Sequence, residues 1–232
     1  MLRFPVRCGL GNKKHSTIRK VITMKINLRE IPAFYVNLDS RIDLRERMES
    51  TLSRLGFSKI YRSPGVVVPD APVCVGIAHA YKNAFDLAES VSKGGPFLMF
   101  DDDALPTDAF TADIEVPNDF DAVYLGISRY GRRHSDGCCA IDLVEATYIS
   151  DTMAKINSML SSHAILYAGI NNPYTQKVRD RLLPAIREKI HCDIEMARSQ
   201  PDHQVYAFVD PLFYQTSQEW PTRLKLTDFV PR

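Results

Sequence analysis

Apolar residues in this chain gather into short runs and helical stripes that alternate along its length. Ala33-Phe34-Tyr35-Val36-Asn37-Leu38, introduced by Pro32, reads as a first strand. Leu44, Met48, Leu52 and Leu55 then recur at spacings of 4, 4 and 3, the stripe of an amphipathic helix. Asp39 or Ser40 is placed to cap that helix, and Gly56 to close it. Lys59-Ile60-Tyr61-Arg62 reads as a second strand, ended by Pro64-Gly65. The Pro-containing segment Val66 to Val73 reads as an irregular loop. A second helix follows with Ile77, Tyr81, Ala84, Phe85 and Ala88 on one face, ending before Gly94.

The apolar run Pro96-Phe97-Leu98-Met99-Phe100 reads as a buried central strand. Residues 104–120 are turn-rich. Asp121 to Gly126, Ser162 to Gly169 and Val205 to Val209 read as further strands, and Tyr174 to Leu183 as a helix that Pro184 interrupts, or that a second short helix follows. Residues 127–142 are polar and glycine-punctuated, suited to a loop over a site, and the tail after Trp220 reads as irregular. With no internal repeat and no linker after residue 30, one α/β domain over 31–232 with a mixed sheet accounts for the pattern.

Charge adds an asymmetry. Eight of the 29 basic residues fall in 1–29, ahead of the first acid, Glu30, so the body holds 21 basic against 28 acidic side chains, a net charge of −7. An acidic body argues against a nucleic-acid binder. No apolar run reaches the roughly 18 to 20 residues of a membrane-spanning helix. Residues 1–30 lack the apolar core of a secretory signal; a disordered leader, or Met24 as the functional start, explains them more simply than an organelle transit peptide. The five cysteines (Cys8, Cys74, Cys138, Cys139, Cys192) show no CxxC spacing and no disulfide framework, which fits a reducing, cytoplasmic setting.

The candidate chemistry lies where the central strand ends, in Asp101-Asp102-Asp103. Ligands of α/β sheets bind outside the carboxyl ends of the strands. Adjacent carboxylates repel one another unless a cation joins them, and a hard ion such as Mg²⁺ or Mn²⁺ commonly brings a phosphate-bearing substrate. An acidic, solvated turn is the competing reading.

Three segments, taken in order, resemble the glycosyltransferases of family 25, the lipooligosaccharide biosynthesis type. They are Asn37-Leu38-Asp39-Ser40-Arg41-Ile42-Asp43-Leu44-Arg45, Val75-Gly76-Ile77-Ala78-His79, and Leu98-Met99-Phe100-Asp101-Asp102-Asp103-Ala104. Asp121 to Gly126, Ser162-His163-Ala164, Cys192-Asp193, and Pro211-Leu212-Phe213 with Gln215 and Ser217 fall in the same order, so the resemblance spans about residues 31–218.

The resemblance implies a GT-A-type, Rossmann-like domain whose mixed sheet is mostly parallel and flanked by helices. It also implies inverting, metal-dependent transfer of a sugar from a nucleotide diphosphate, commonly a UDP-sugar, to a glycan or glycoprotein hydroxyl. Mn²⁺ or Mg²⁺ would sit on Asp103, with Asp101 as second ligand or ribose contact. Asp102, one residue out of phase in an extended strand, would face away from the metal, at the nucleotide or in a solvated role. Asn37 or Asp39 would meet base or ribose, Arg41 or Arg45 the phosphates. Arg45 on a solvated helix face and Asp39 as a cap are the alternatives. His79 faces the donor or is structural; His163 belongs to the sheet, and His203 is not favoured as a ligand. Asp193, with Glu195 as the alternative, would be the general base, unless Asp193 caps the helix Ile194 to Ser199. Acceptor contacts are expected from the 127–142 loop, where Arg129, Arg132, Arg133 and His134 form a basic cluster, unless that cluster is simply a solvated loop. The rival functions are a metal-dependent nucleotidyltransferase, although no Gly-rich phosphate loop with Lys is present, and an inactive glycan- or nucleotide-binding relative.

Overall fold

The computed structural model describes residues 22–132, 140–141, 144–216 and 224–232. Among these residues fourteen strands and four α-helices follow in order: β1 (Thr23–Asn27), β2 (Ala33–Asn37), α1 (Ile42–Arg54), β3 (Ile60–Pro64), α2 (Val73–Ser92), β4 (Phe97–Asp101), β5 (Ala104–Pro106), β6 (Asp113–Pro117), β7 (Ala122–Tyr124), β8 (Gly131–Arg132), β9 (Ala140–Ile141), β10 (Glu145–Tyr148), β11 (Met153–Ser158), β12 (Ala164–Tyr167), α3 (Pro173–Glu188), α4 (Cys192–Ser199), β13 (Val205–Phe208) and β14 (Phe213–Gln215). Eight strands form the main sheet in the order β10-β11-β13-β7-β12-β4-β2-β3. Pairs β2–β3, β2–β4 and β7–β13 are parallel, while the other four neighbours run antiparallel. The sheet is mixed as expected, but it is not mostly parallel. Helix α1 crosses from β2 to its parallel neighbour β3, and α2 crosses back from β3 past β2 to β4, connections of the kind that parallel pairing requires.

The buried strand β4 sits inside the sheet between β12 and β2, and its residues Phe97 to Phe100 are wholly buried. Side chains alternate along it. Phe97 and Met99 join the core under α2, α3 and α4, whereas Leu98 and Phe100 join the core shared with Met48 and Leu52 of α1 and with Ile114 and Val116 of β6. Asp101 continues the first set and so faces α2.

Several sequence expectations need correction. Helix α1 is preceded by Arg41, which makes no side-chain cap; Asp39 instead bonds to Arg62. Gly56, at φ +91°, does end the helix. Pro184 neither ends nor restarts α3, because Val178, Leu182 and Ala185 carry one buried face through it. Residues 23–30 belong to the folded unit: β1 pairs antiparallel with β6, and Leu28 in the turn Leu28–Glu30 is fully buried. Strand β6 was hidden in a segment read as turn-rich and β11 in one given no reading, although Asp113-Ile114-Glu115-Val116 shows the period of two that marks a half-buried strand. Of the basic cluster expected at an acceptor, Arg133 and His134 lie outside the described residues.

Gly126, just after β7, lets the chain pass over buried His163. A Cβ there would stand 1.9 Å from His163 Nε2. His163 in turn accepts the Asp101 amide at its carbonyl (3.1 Å), so this contact supports the end of β4. Gly126→Ala is therefore expected to lower stability by about 1–3 kcal/mol in denaturant melts. In a His163→Ala background the same change should cost much less, and equal costs in both backgrounds would show that the ring is not what glycine accommodates.

Candidate active site

A cavity of about 490 Å³ opens at the carboxyl ends of β2 and β4. One wall is apolar, built from the β2 end (Val36, Leu38), the segment Val66 to Val68 and the first turns of α2. The other carries Asp101, Asp102 and Asp103 together with His191 and Asp193 at the start of α4. Its volume is that of an ordinary small-molecule site. Gly76 shapes the apolar wall, since a Cβ on it would lie 2.2 Å from the Val66 carbonyl oxygen. The glycine of the second motif thus serves close backbone packing between α2 and the loop.

The three aspartates have different surroundings. β4 ends at Asp101, and Asp102 and Asp103 form a turn, so strand alternation does not extend to them and all three line the cavity. Asp101 Oδ1 lies 2.5 Å from the Tyr81 hydroxyl, and the Ser162 hydroxyl donates to Oδ2 at 3.2 Å. Burial pushes the Asp101 carboxyl up to about 7; Tyr81 opposes that shift and the charge of Asp103 adds to it. Asp102 Oδ2 accepts from Asn37 Nδ2 at 2.7 Å, and burial raises its pKa as well. Asp103 is 7% exposed, and its Oδ1 is buried with no hydrogen-bond partner among the described residues. An orphaned buried carboxylate oxygen is costly and calls for a cation or donor.

Two arginines missed in the sequence reading hold this turn. Arg62 donates from Nε to Asn37 Oδ1 (3.0 Å) and from Nη2 to the Asn37 carbonyl (3.0 Å), while Asn37 Nδ2 bonds the Arg41 carbonyl (3.0 Å) and Asp102. Arg47 donates from Nη2 to Thr216 Oγ1 (3.1 Å), and Thr216 donates its amide and hydroxyl to the Asp103 carbonyl (3.1 and 3.2 Å). No local spacing announces either chain of contacts, because each joins residues far apart in sequence.

The remaining expected residues divide. Arg41 lines the cavity but pairs with Asp43 through two contacts of 3.2 Å. Arg45 pairs with Glu49 at 3.4 Å on an exposed helix face, and Asp39 is exposed and tied to Arg62; neither lines the cavity. His79 lies in the second turn of α2, half-buried and outside the lining. Asp193 lines the cavity inside α4, whose N-cap is His191, so it is not the cap. Its Oδ1 accepts the Ile194 amide at 2.9 Å, and burial raises its pKa against the pull of His191. Glu195 is fully buried away from the cavity and ion-paired to Arg198 and, at 3.5 Å, to Arg181. It ties α4 to α3 and is not placed to take a proton from a ligand.

Among the described residues no group of three or more His, Cys, Asp or Glu side chains is arranged around a common metal position. Mg²⁺ and Mn²⁺ need only one or two protein carboxylates when phosphate and water complete the shell, and the unpartnered Asp103 Oδ1 fits that demand.

No family model and no curated protein matches this chain, so the family 25 resemblance rests on the motif segments alone. A solved structure, that of a glycosyltransferase involved in the glycosylation of the major capsid of PBCV-1, is similar to it with a TM-score of 0.39 and 8% identity. The match covers 82% of this chain and 94% of that one. At that distance, function is read from the residues of this chain themselves.

His163 makes the site region acid-sensitive. Its Nδ1 lies 3.0 Å from Ser161 Oγ, and burial holds its pKa down to about 4 from an ordinary 6.5, against the favourable charge of Asp103. Between those values His163 takes up its proton only in the unfolded chain, so its contribution to stability, present above pH 6.5, is lost as pH falls towards 4. The loss is on the order of 3 kcal/mol. Denaturant melts of His163→Gln should show a shallower decline over that window than the parent protein, and parallel declines would place the acid sensitivity elsewhere.

Proposed function

We propose that the chain is a glycosyltransferase that moves a sugar from a nucleotide diphosphate, a UDP-sugar by the motif resemblance, to a glycan or glycoprotein hydroxyl. The observation that carries this reading is the acidic turn at the end of β4, with a buried carboxylate oxygen of Asp103 left unpartnered at a cavity of about 490 Å³. A bound Mn²⁺ or Mg²⁺ supplies Lewis-acid stabilisation to the negative charge that gathers on the diphosphate as it leaves. Asp102 and Asp103 of the acidic turn would hold that cation, and the apolar lining from Val66 to Val68 and Ile77 would shield the reacting centre from water.

Asp193, which lines the same cavity, acts as general base. With Oδ1 held by the Ile194 amide, its other oxygen takes the acceptor's hydroxyl proton. The acceptor oxygen forms its bond to the anomeric carbon as the bond from that carbon to the diphosphate oxygen breaks, and the configuration inverts. A carboxyl raised by burial is a better base near neutral pH than an ordinary aspartate.

Transfer from, or hydrolysis of, UDP-sugars should require Mn²⁺ or Mg²⁺ and fall by about 10²-fold or more in Asp103→Ala. Full activity in excess chelator would remove the metal from the scheme. Asp193→Asn should keep nucleotide-sugar binding, read by thermal shift, while turnover falls by about 10²–10⁴-fold; unchanged turnover would move the base elsewhere. A thermal response to nucleoside triphosphates and not to nucleotide sugars would favour nucleotidyl transfer.

A further inference from the structure

The hydrogen-bond arrangement around the acidic turn separates its carboxylates more sharply than their sequence does. Both oxygens of Asp101 are engaged, Oδ1 by the Tyr81 hydroxyl at 2.5 Å and Oδ2 by the Ser162 hydroxyl at 3.2 Å. These donors come from α2 and from the segment before β12, and they turn the carboxylate inward beneath the helix. Asp102 has one oxygen engaged, by Asn37 at 2.7 Å, and the other has no donor among the described residues. Asp103, 7% exposed, keeps Oδ1 buried and unpartnered at the cavity. A cation is taken most readily by a carboxylate oxygen that accepts no hydrogen bond; Asp102 and Asp103 each offer one, and both oxygens of Asp101 already accept one.

We propose that Asp102 and Asp103 are the pair that holds the divalent cation, and that Asp101 is a positioning residue which anchors the end of β4 to Tyr81 and Ser162. The assignment rests on reading the cavity as a cation–diphosphate site. It differs from the alternation expected for an extended strand, because Asp102 and Asp103 lie in a turn that brings both side chains to the cavity. Each member of the pair has its own arginine-anchored support. Arg62 fixes Asn37, whose Nδ2 aims the Asp102 carboxylate; Arg47 fixes Thr216, which clamps the main-chain carbonyl of Asp103. Partners of this kind behind metal ligands fix ligand orientation and tune affinity. Asn37 is thereby a positioning residue too. Its amide group is committed to Arg41, Asp102 and Arg62 and leaves no donor for a base or ribose.

The test is a direct Mn²⁺ titration of the full chain, by the loss of the free-ion electron paramagnetic resonance signal, with Mn²⁺ alone and with Mn²⁺ plus UDP. Removing a partner behind a ligand commonly costs 10- to 100-fold in affinity, so Asp102→Asn and Asp103→Asn should each weaken Mn²⁺ by at least about tenfold and Asn37→Ala by about tenfold. Asp101→Asn should stay within about threefold of the parent protein, as should Tyr81→Phe, which frees Asp101 without removing its charge and serves if Asp101→Asn does not fold. A large loss in Asp101→Asn with none in Asp102→Asn would overturn the assignment in favour of Asp101 and Asp103. Failure of the parent protein to take up Mn²⁺ in either titration would instead remove the cation–diphosphate reading on which the assignment stands.

Discussion

A buried central strand that runs into three successive carboxylates has to accommodate their mutual repulsion, and much of the surrounding structure follows from that constraint. Strand β4 cannot be moved outward, because Phe97 to Phe100 lie wholly within the two cores on either side of the sheet. The acids therefore come to rest at its carboxyl end, in a partly enclosed cavity where charge is expensive. Relief is supplied in pieces. Tyr81 and Ser162 satisfy Asp101, and Asn37 satisfies half of Asp102. Asp103 is left with a buried oxygen that no described residue meets. That bare, buried oxygen at the cavity is the observation on which the proposed cation site rests.

The same constraint explains the placement of elements with little to do with chemistry directly. Glycine at 76 lets α2 press against the Val66 carbonyl, which brings Tyr81 over Asp101 and also forms the apolar wall. Glycine at 126 leaves room for His163, whose carbonyl receives the Asp101 amide. Arg62 and Arg47 reach the turn from β3 and α1 through one intermediary each. The site is held from four directions, which is the condition for fixed rather than averaged ligand geometry.

Much of this was legible in the sequence, and the failures have physical causes. The β4 run and its three acids, the α1 and α2 stripes and the strands near 122, 164 and 205 could be read because period and burial agree there. The strands β5 and β10 could not, since neither lies in a continuous apolar run as β7, β12 and β13 do; their pairing with β14 and β11 is decided by tertiary contacts. Asn37 and Asp39 were expected at the ligand, yet both serve Arg62, a residue whose importance arises only when β3 lies beside β2. Tyr81 was recognised for its ring on an apolar stripe, while its hydroxyl carries the functional contact. Glu195 and Asp193 stand two apart at the start of one short helix, and helical geometry turns one into the core and the other to the cavity.

Everything proposed for this protein depends on the acidic turn forming a cation site shared with a diphosphate. Diffraction from crystals grown with UDP and Mn²⁺, recorded for the anomalous signal of manganese, tests it most directly. One strong peak is expected in the cavity, within bonding distance of Asp103 and of a diphosphate oxygen. A diphosphate bound in the cavity with no peak beside the aspartates, or a manganese peak only elsewhere on the molecule, would contradict it.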